Sequence, residues 1–299
     1  MKRILITTLF VLFAINVSSA QAWMTNLEIA QRLALVQNKM VLMVWEETTS
    51  YQYPVLVRDE KGRTIFINNL FVDEYISPLI WEHFVPVIVS EHRYADLYGK
   101  IKGKRSQRYL DKFNDDSIKI MDANGNIINT DYLTQDFQNI TTIIKQYALD
   151  TSFIVEELNN YRNDKGFYSA YYLASKYLDF GLYANKKIRS NIVDLSNIYL
   201  NEAIELIETQ DEKERAALKQ RCELLRMQEY LLLRRPKKVI RALKKIKEDT
   251  IDESNKSFVA FLYYTAYMSM DKAKDAETWK SEISSVNLKK AQKIINLNS

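Results

Sequence analysis

Residues 40–52 read MVLMVWEETTSYQ, an apolar run that gives way to a polar stretch. The run Met40–Trp45 offers apolar side chains to both sides of an extended chain, which is typical of a strand covered on both faces of a sheet. The polar stretch Glu46–Gln52 ends that strand and contains no cysteine. Because such a strand needs helices on both faces, the flanking segments decide which sheet it belongs to.

The segment before the run has the pattern of an amphipathic helix. Thr25-Asn26-Leu27-Glu28 is a T-x-x-E capping box, in which the Thr and Glu side chains accept hydrogen bonds from backbone N–H groups at a helix N-terminus. Ile29, Leu33 and Val36 follow at helical spacing, so we expect them to form the buried face.

The rest of residues 23–148 alternates between strand and helix patterns. We predict a hairpin of two strands, Pro54–Val57 and Thr64–Ile67, with Gly62 in its turn. A short helix at Asp73–His83 and a second buried strand at Phe84–Val89 are expected to follow. The last predicted elements are a hairpin of Ser117–Met121 and Asn126–Ile128 around Asn124-Gly125, and a helix from about Thr134. Together these elements predict an α/β layer fold.

From about residue 150 the pattern is helical. We predict helices at 150–162, 168–181, 187–208, 213–234, 237–248, 255–270 and 272–284. Paired helices with short loops are typical of α-hairpin repeats, and residues 223–251 loosely resemble a tetratricopeptide unit without its small residues. We therefore expect residues 149–299 to form an all-α, repeat-like domain.

Residues 1–22 have the three parts of a secretory signal peptide. Lys2 and Arg3 precede the apolar run Ile4–Ile15, and Ala20-Gln21-Ala22 supplies a cleavage site. The run is shorter than the roughly 20 residues that cross a bilayer, which disfavours the alternative of a membrane anchor. We expect an exported protein, periplasmic or secreted, with no stable membrane span after cleavage.

The net charge bears on the kind of partner, and the cysteine content bears on whether disulfides stabilise the fold. Removal of Lys2 and Arg3 lowers the formal net charge from +4 to +2, which argues against nucleic acid as a partner. The single cysteine, Cys222, cannot form an intramolecular disulfide. It shares a helical stripe with Leu218 and Leu225, so we expect a buried, inert thiol; a mixed disulfide with a partner is the alternative.

Three stretches resemble the exported thioredoxin-like family over residues 23–148. They are the helix TNLEIAQRLALVQNK leading into MVLMVW, the helix and strand ISPLIWEHFVPVIVSE, and the hairpin SIKIMDANGNII. The resemblance implies a thioredoxin-like α/β domain ahead of the helical region.

The family's redox chemistry is not matched. The resemblance places a Cys-x-x-Cys pair within Glu46–Tyr51 and a cis-proline at Asn114–Ser117, and neither a thiol nor a proline stands there. A hydroxyl cannot form the mixed disulfide of thiol exchange, so we expect no oxidoreductase activity. The resemblance implies instead a retained docking surface made of Trp45, Glu46, Glu47, Thr48, Tyr51, Tyr53, Asn114, Asp115 and Asp116.

No metal, cofactor or catalytic residue is predicted. His83 and His92 flank a strand of about six residues, which separates them by about 20 Å and disfavours a shared metal site or a histidine-based triad. The chain has no glycine loop of the phosphate-binding kind.

Charged and aromatic stretches are the remaining candidates. One helix is predicted to carry a basic patch of Arg234, Arg235, Lys237, Lys238, Arg241, Lys244 and Lys245 opposite an apolar face of Val239, Ile240, Leu243 and Ile246. The patch is either a solvated helix face or a site for an acidic protein or lipid headgroup. A second basic cluster, Lys100–Arg108, lies in a predicted loop. Tyr168, Tyr171 and Tyr172 form either a core stripe or a binding surface for a peptide or glycan.

These observations favour a non-catalytic, exported scaffold that binds protein partners of the cell envelope. Two alternatives remain open: a structural component of a larger envelope complex, and an envelope enzyme with an unrecognised site. The sequence makes no prediction of the oligomeric state.

Overall fold

The computed structural model describes residues 22–131 and 137–298, with an α/β arrangement in the first half and helices in the second. The elements of the first half are α1 (Leu27–Gln37), β1 (Met40–Trp45), β2 (Val55–Arg58), β3 (Thr64–Ile67), α2 (Ile76–His83), β4 (Phe84–Val89), α3 (Tyr94–Ile101), α4 (Gln107–Asn114), β5 (Lys119–Met121), β6 (Gln138–Asn139) and α5 (Ile140–Tyr147). Those of the second half are α6 (Val155–Asn163), α7 (Phe167–Gly181), α8 (Arg189–Glu205), α9 (Glu212–Leu232), α10 (Pro236–Leu243), α11 (Lys256–Met268), α12 (Ala273–Lys280) and α13 (Ser285–Asn298).

The first of two three-stranded sheets has the order β4-β1-β5. β1 runs parallel to β4, with Met40 opposite Phe84, and antiparallel to β5. All six residues of β1 are buried, as the apolar run predicted. The predicted hairpin after β5 is present: Gly125 takes a left-handed φ of 87° in its turn, and Ile127 bridges back to Met121.

The second sheet has the order β3-β2-β6. β2 and β3 form the predicted antiparallel hairpin, with Gly62 at a φ of 78° in the turn, and β6 lies parallel to β2. This hairpin takes the place of a helix after β1, so it positions the loop at Glu46–Tyr53.

The predicted start of α1 was wrong, and of the three residues predicted for its buried face only Leu33, which is partly buried, packs against the core. Asn26, not Thr25, is the N-cap, and its side chain accepts a hydrogen bond from the Ile29 N–H at 3.1 Å. Ile29 and Val36 are exposed. The buried residues of α1 are Ala30, Ala34 and Leu35. Because alanine side chains are small, α1 lies close to β4. The spacing of large apolar residues, on which the prediction depended, does not identify a buried face made of alanines.

Several helix boundaries also differ from the prediction. The predicted glycine-containing loop is present at residues 102–106, but Lys100 lies in the last turn of α3 and Arg108 in the first turn of α4, where the Ser106 side chain accepts a hydrogen bond from the Tyr109 N–H. The final helix, α13, was missed. The predicted helix start at Thr134 and the signal peptide up to residue 21 lie outside the described residues.

The hydrophobic core runs through both halves of the chain. One cluster of buried residues joins the first sheet to α6–α9, and a second lies among α9–α13. The proposed boundary at 148/149 therefore crosses a shared core and stays a prediction. None of the described helices is long and apolar enough to cross a membrane.

Candidate functional site

The polar stretch after β1 forms a single 3-10 turn at Glu46–Ser50. Thr48 Oγ1 donates a hydrogen bond to the Trp45 carbonyl at 2.6 Å, and Thr49 Oγ1 donates to the Glu46 carbonyl at 2.8 Å. These threonine-to-backbone bonds fold the segment back on itself, and the chain then continues into β2. No helix follows β1 at the place where the resemblance puts the redox pair.

Three of the nine predicted docking residues belong to the core, which corrects their assignment to the surface. Trp45 is 3% exposed and its indole N–H donates to the Phe113 carbonyl at 2.9 Å, while Thr48 and Tyr53 are also buried. The structure does bring the two predicted segments together, because the Tyr53 hydroxyl donates to the Asp116 carbonyl at 3.0 Å. The exposed or partly exposed members are Glu46, Glu47, Tyr51, Asn114, Asp115 and Asp116.

A polar cluster, which we call the lysine cluster, consists of the buried Lys112, Lys119 and Ser117 and the partly exposed Asp115. Lys119 Nζ is 3.3 Å from one Asp115 carboxylate oxygen and Lys112 Nζ is 3.7 Å from the other. Lys112 also donates to the Ser117 hydroxyl, which donates to Asp115 at 2.5 Å. The cluster occupies the place where the resemblance puts the cis-proline.

Burial sets the electrostatics of the lysine cluster. It lowers the pKa of Lys119 to about 8, against the opposing effect of Asp115, and it also lowers the pKa of Lys112. A lysine with a lowered pKa can act as a base or nucleophile. Lys119 is 0% exposed, so no substrate reaches it in this structure. The Lys119 ammonium therefore contacts Asp115 rather than solvent.

Sequence reasoning also missed a second buried cluster, around Asp122 in the Asn124-Gly125 turn. The Asp122 carboxylate accepts hydrogen bonds from the hydroxyls of Tyr177 and Tyr199 and from the backbone N–H groups of Asn124 and Asn126. Burial raises the pKa of Asp122 and of both tyrosines. Since the tyrosines come from α7 and α8, their hydrogen bonds to Asp122 connect the first half of the chain to the helical half.

Of the two interpretations of Tyr168, Tyr171 and Tyr172, the core stripe holds for Tyr171 and is wrong for Tyr168 and Tyr172. Tyr171 is buried, whereas Tyr168 and Tyr172 are exposed and stack on each other with ring centroids 6.1 Å apart. They line a groove of about 310 Å³ between α7 and α9, whose polar rim includes Lys213 and Arg221.

The basic patch forms one wall of a cleft of about 700 Å³, which we call the basic cleft. α10 buries Val239, Ile240 and Leu243, as predicted, so its cations point outward. Five patch residues line the cleft together: Arg234, Arg235, Lys237, Lys238 and Arg241. Lys244 and Lys245 are exposed on the same chain segment outside the cleft lining.

Tertiary structure supplies the other wall of the basic cleft. Ser269, Met270 and Asp271 come from the turn between α11 and α12, and Asn298 comes from the end of α13. These residues are far from α10 in sequence, and no local pattern marks them as neighbours.

The charge of the basic cleft is largely uncompensated within the part of the chain that the structure describes. Asp271 is the carboxylate that lines it, and Arg235, Lys237, Lys238 and Arg241 form no ion pair with described residues. Lys238 lies over the Tyr230 ring at 5.4 Å, and Arg241 Nε donates weakly to the Lys237 carbonyl at 3.4 Å. Converging cations without internal counter-charges favour an anionic ligand.

The remaining candidates for chemistry are isolated. Cys222 is buried, as predicted, and burial raises its pKa to about 11. Across residues 22–131 and 137–298, no group of three or more His, Cys, Asp or Glu side chains is placed to hold a metal ion.

Comparison of the chain with protein-family models, with curated proteins and with solved structures gave no match.

Proposed function

We propose that this chain is a non-catalytic, exported scaffold that binds an acidic protein of the cell envelope. In this proposal residues 23–148 form a thioredoxin-like domain without redox cysteines, and residues 149–299 form a repeat-like, tetratricopeptide-like helical domain. The observation that carries the proposal is the basic cleft, where five cationic side chains converge on about 700 Å³ and Asp271 is the lining carboxylate.

The first half supports the scaffold role. The elements α1, β1, α2, β4, the β5 hairpin and α5 follow one another in the order that the resemblance implies, with β1 between a parallel and an antiparallel neighbour. The lysine cluster and the 3-10 turn lie in the segments to which the resemblance assigns the redox site. The Asp122 contacts hold the first half against α7 and α8 of the helical half.

Binding of a defined acidic probe tests the cleft. We expect a fluorescein-labelled decaglutamate peptide to bind at low salt and to be released as ionic strength rises. Lys237→Glu with Arg241→Glu should weaken binding by about tenfold or more, since each reversal replaces an attraction with a repulsion worth about 1 kcal/mol. Lys244→Glu with Lys245→Glu changes the net charge equally outside the cleft lining and should weaken binding much less.

Comparison of the two double variants distinguishes binding at the basic cleft from a general attraction of the peptide to positive charge. Equal weakening by both double variants would remove the basic cleft as a binding site. Anionic lipid vesicles provide the competing outcome: salt-sensitive binding to vesicles without binding to the peptide would contradict a protein partner.

Two further measurements test the rest of the proposal. N-terminal sequencing of the protein from an envelope extract should begin at Trp23, and an intact Met1 terminus would contradict export with cleavage. Insulin-disulfide reduction should proceed no faster with the protein than in buffer, because Cys222 is buried; acceleration would overturn the redox-inactive assignment.

A further inference from the structure

Among the described residues, the strand β3 is an edge of the second sheet; the Phe66 ring contacts Phe137 with ring centroids 5.0 Å apart, and Ile67 packs against the core. The strand pairs with β2, and within the described residues no other element packs substantially against it. Ile65 and Phe66 point to opposite faces and are 43% and 49% exposed. An unpaired edge strand with exposed apolar side chains is a site at which another chain can add a strand.

The hydrogen-bond register shows which backbone groups of β3 are free to pair. The Asp59 N–H donates to the Arg63 carbonyl at 3.0 Å, so this pair is hydrogen-bonded. Bonded and non-bonded pairs alternate along an antiparallel ladder, which makes the next bonded pair Val57–Ile65. The backbone N–H and C=O groups of Thr64 and Phe66 therefore point away from β2.

A second hydrogen bond confirms this direction independently. Arg58 stands opposite Thr64, and its N–H donates at 2.9 Å to the hydroxyl of Thr141 on α5. The Arg58 N–H thus points away from β3, as required of a non-bonded pair, and the Thr64 N–H points the opposite way, to the open edge.

The usual protections of an edge strand are missing from β3. Such strands commonly carry lysine, proline or an inward-pointing charge, whereas Thr64–Ile67 reads TIFI. The nearest charge before it, Arg63, is paired with Asp59 at 2.7 Å. Two copies of this edge can approach without opposing like charges.

We propose that β3 pairs antiparallel with β3 of a second copy of this chain. The pattern is self-complementary: Thr64 pairs with Phe66 of the second copy and Phe66 with its Thr64, so all four outward-facing residues of the two strands are hydrogen-bonded. Ile65 then stands opposite Ile65 of the second copy, on the two-fold axis. The pairing joins the two sheets into six strands in the order β6-β2-β3-β3-β2-β6. It uses a surface other than the basic cleft and is independent of the proposed function.

Cysteine cross-linking tests the register directly. Non-bonded antiparallel pairs have Cα atoms about 4.5 Å apart, within the range of a disulfide. Ile65→Cys should therefore form a covalent dimer rapidly under mild oxidation, while buried Cys222 does not react. Thr64→Cys, next to it and opposite Phe66, is the matched control and should cross-link at least tenfold more slowly. Equally slow cross-linking of both variants would overturn the proposal.

Sedimentation of the purified protein from about 5 to about 500 μM tests the non-covalent dimer. Thr64→Pro removes an outward N–H while leaving the β2 ladder intact, and should weaken dimerisation by about ten- to a hundredfold, since two hydrogen bonds are lost per dimer. Thr64→Val keeps the N–H and the side-chain shape and should dimerise like the unaltered protein. A monomer at every concentration, or equal dimerisation of both variants, would overturn the proposal.

Discussion

Replacement of Lys119 with Met should remove a pH dependence of stability that the buried ammonium imposes. The Lys119 side chain is 0% exposed and its pKa is lowered to about 8, first by burial. In the unfolded chain the pKa of a lysine is about 10.4. Between these values the unfolded chain binds a proton that the folded protein does not, so the free energy of unfolding rises with pH.

The expected magnitude follows from the two pKa values. Below about pH 8 the folded protein bears the whole penalty of a buried charge, and this penalty is relieved as the pH rises toward 10. Integration of the linkage relation from pH 7.5 to pH 9.5 gives a gain of about 2 kcal/mol in the free energy of unfolding. Lys119→Met, which has no titrating group at this position, should lack this gain.

Urea unfolding followed by circular dichroism at several pH values measures the effect. The quantity of interest is the difference between the unaltered protein and Lys119→Met, because tyrosine ionisation near pH 10 contributes equally to both. Lys100→Met, at an exposed position of α3, is the control and should follow the unaltered protein. A difference that stays constant from pH 7.5 to pH 9.5 would refute the assignment of a buried, easily deprotonated Lys119.

Three other predictions concern the core and the turns. Asp122→Ala should lower the free energy of unfolding by about 3 kcal/mol in urea titrations, because three buried donors and the partly buried Asn124 N–H lose their acceptor; a loss below about 1 kcal/mol would contradict the role of this turn in holding the two halves together. Gly125→Ala should destabilise by roughly 1–2 kcal/mol, since its φ of 87° is left-handed and the new Cβ would meet the Gln31 side chain, whereas Gly99→Ala, in the open space of α3, should stabilise by up to about 1 kcal/mol. Burial raises the pKa of Cys222 to about 11, so iodoacetamide at pH 8 should modify it far more slowly in the native protein than in urea; equal rates would place the thiol at the surface.

Local sequence patterns predicted most of the elements that position the candidate sites. The buried strand β1, both hairpins with their glycine turns, and the buried face of α10 all depend on periodicity and turn chemistry within about ten residues. The apolar spacing on α1 failed because its contact with β4 depends on alanines, whose small size matters only once a partner surface is present.

Long-range contacts decided what the candidate sites are. Lys112-x-x-Asp115 and Asp115-x-x-x-Lys119 look like surface charge pairs in the sequence, and only packing makes both lysines buried. The sequence of one predicted helix identified the basic patch. The other wall of the cleft includes Asp271 and Asn298, which come from distant segments of the chain.

The sequence by itself determined β1, the two hairpins and the absence of a thiol pair after β1, because these depend on residues that are neighbours in the chain. Tertiary structure alone decided that Trp45, Thr48 and Tyr53 lie inside, that the Asp122 turn holds the two halves together, and that β3 pairs with β2 alone among the described strands. The physical reason is that burial and strand pairing are properties of segments far apart in sequence, which no local periodicity encodes.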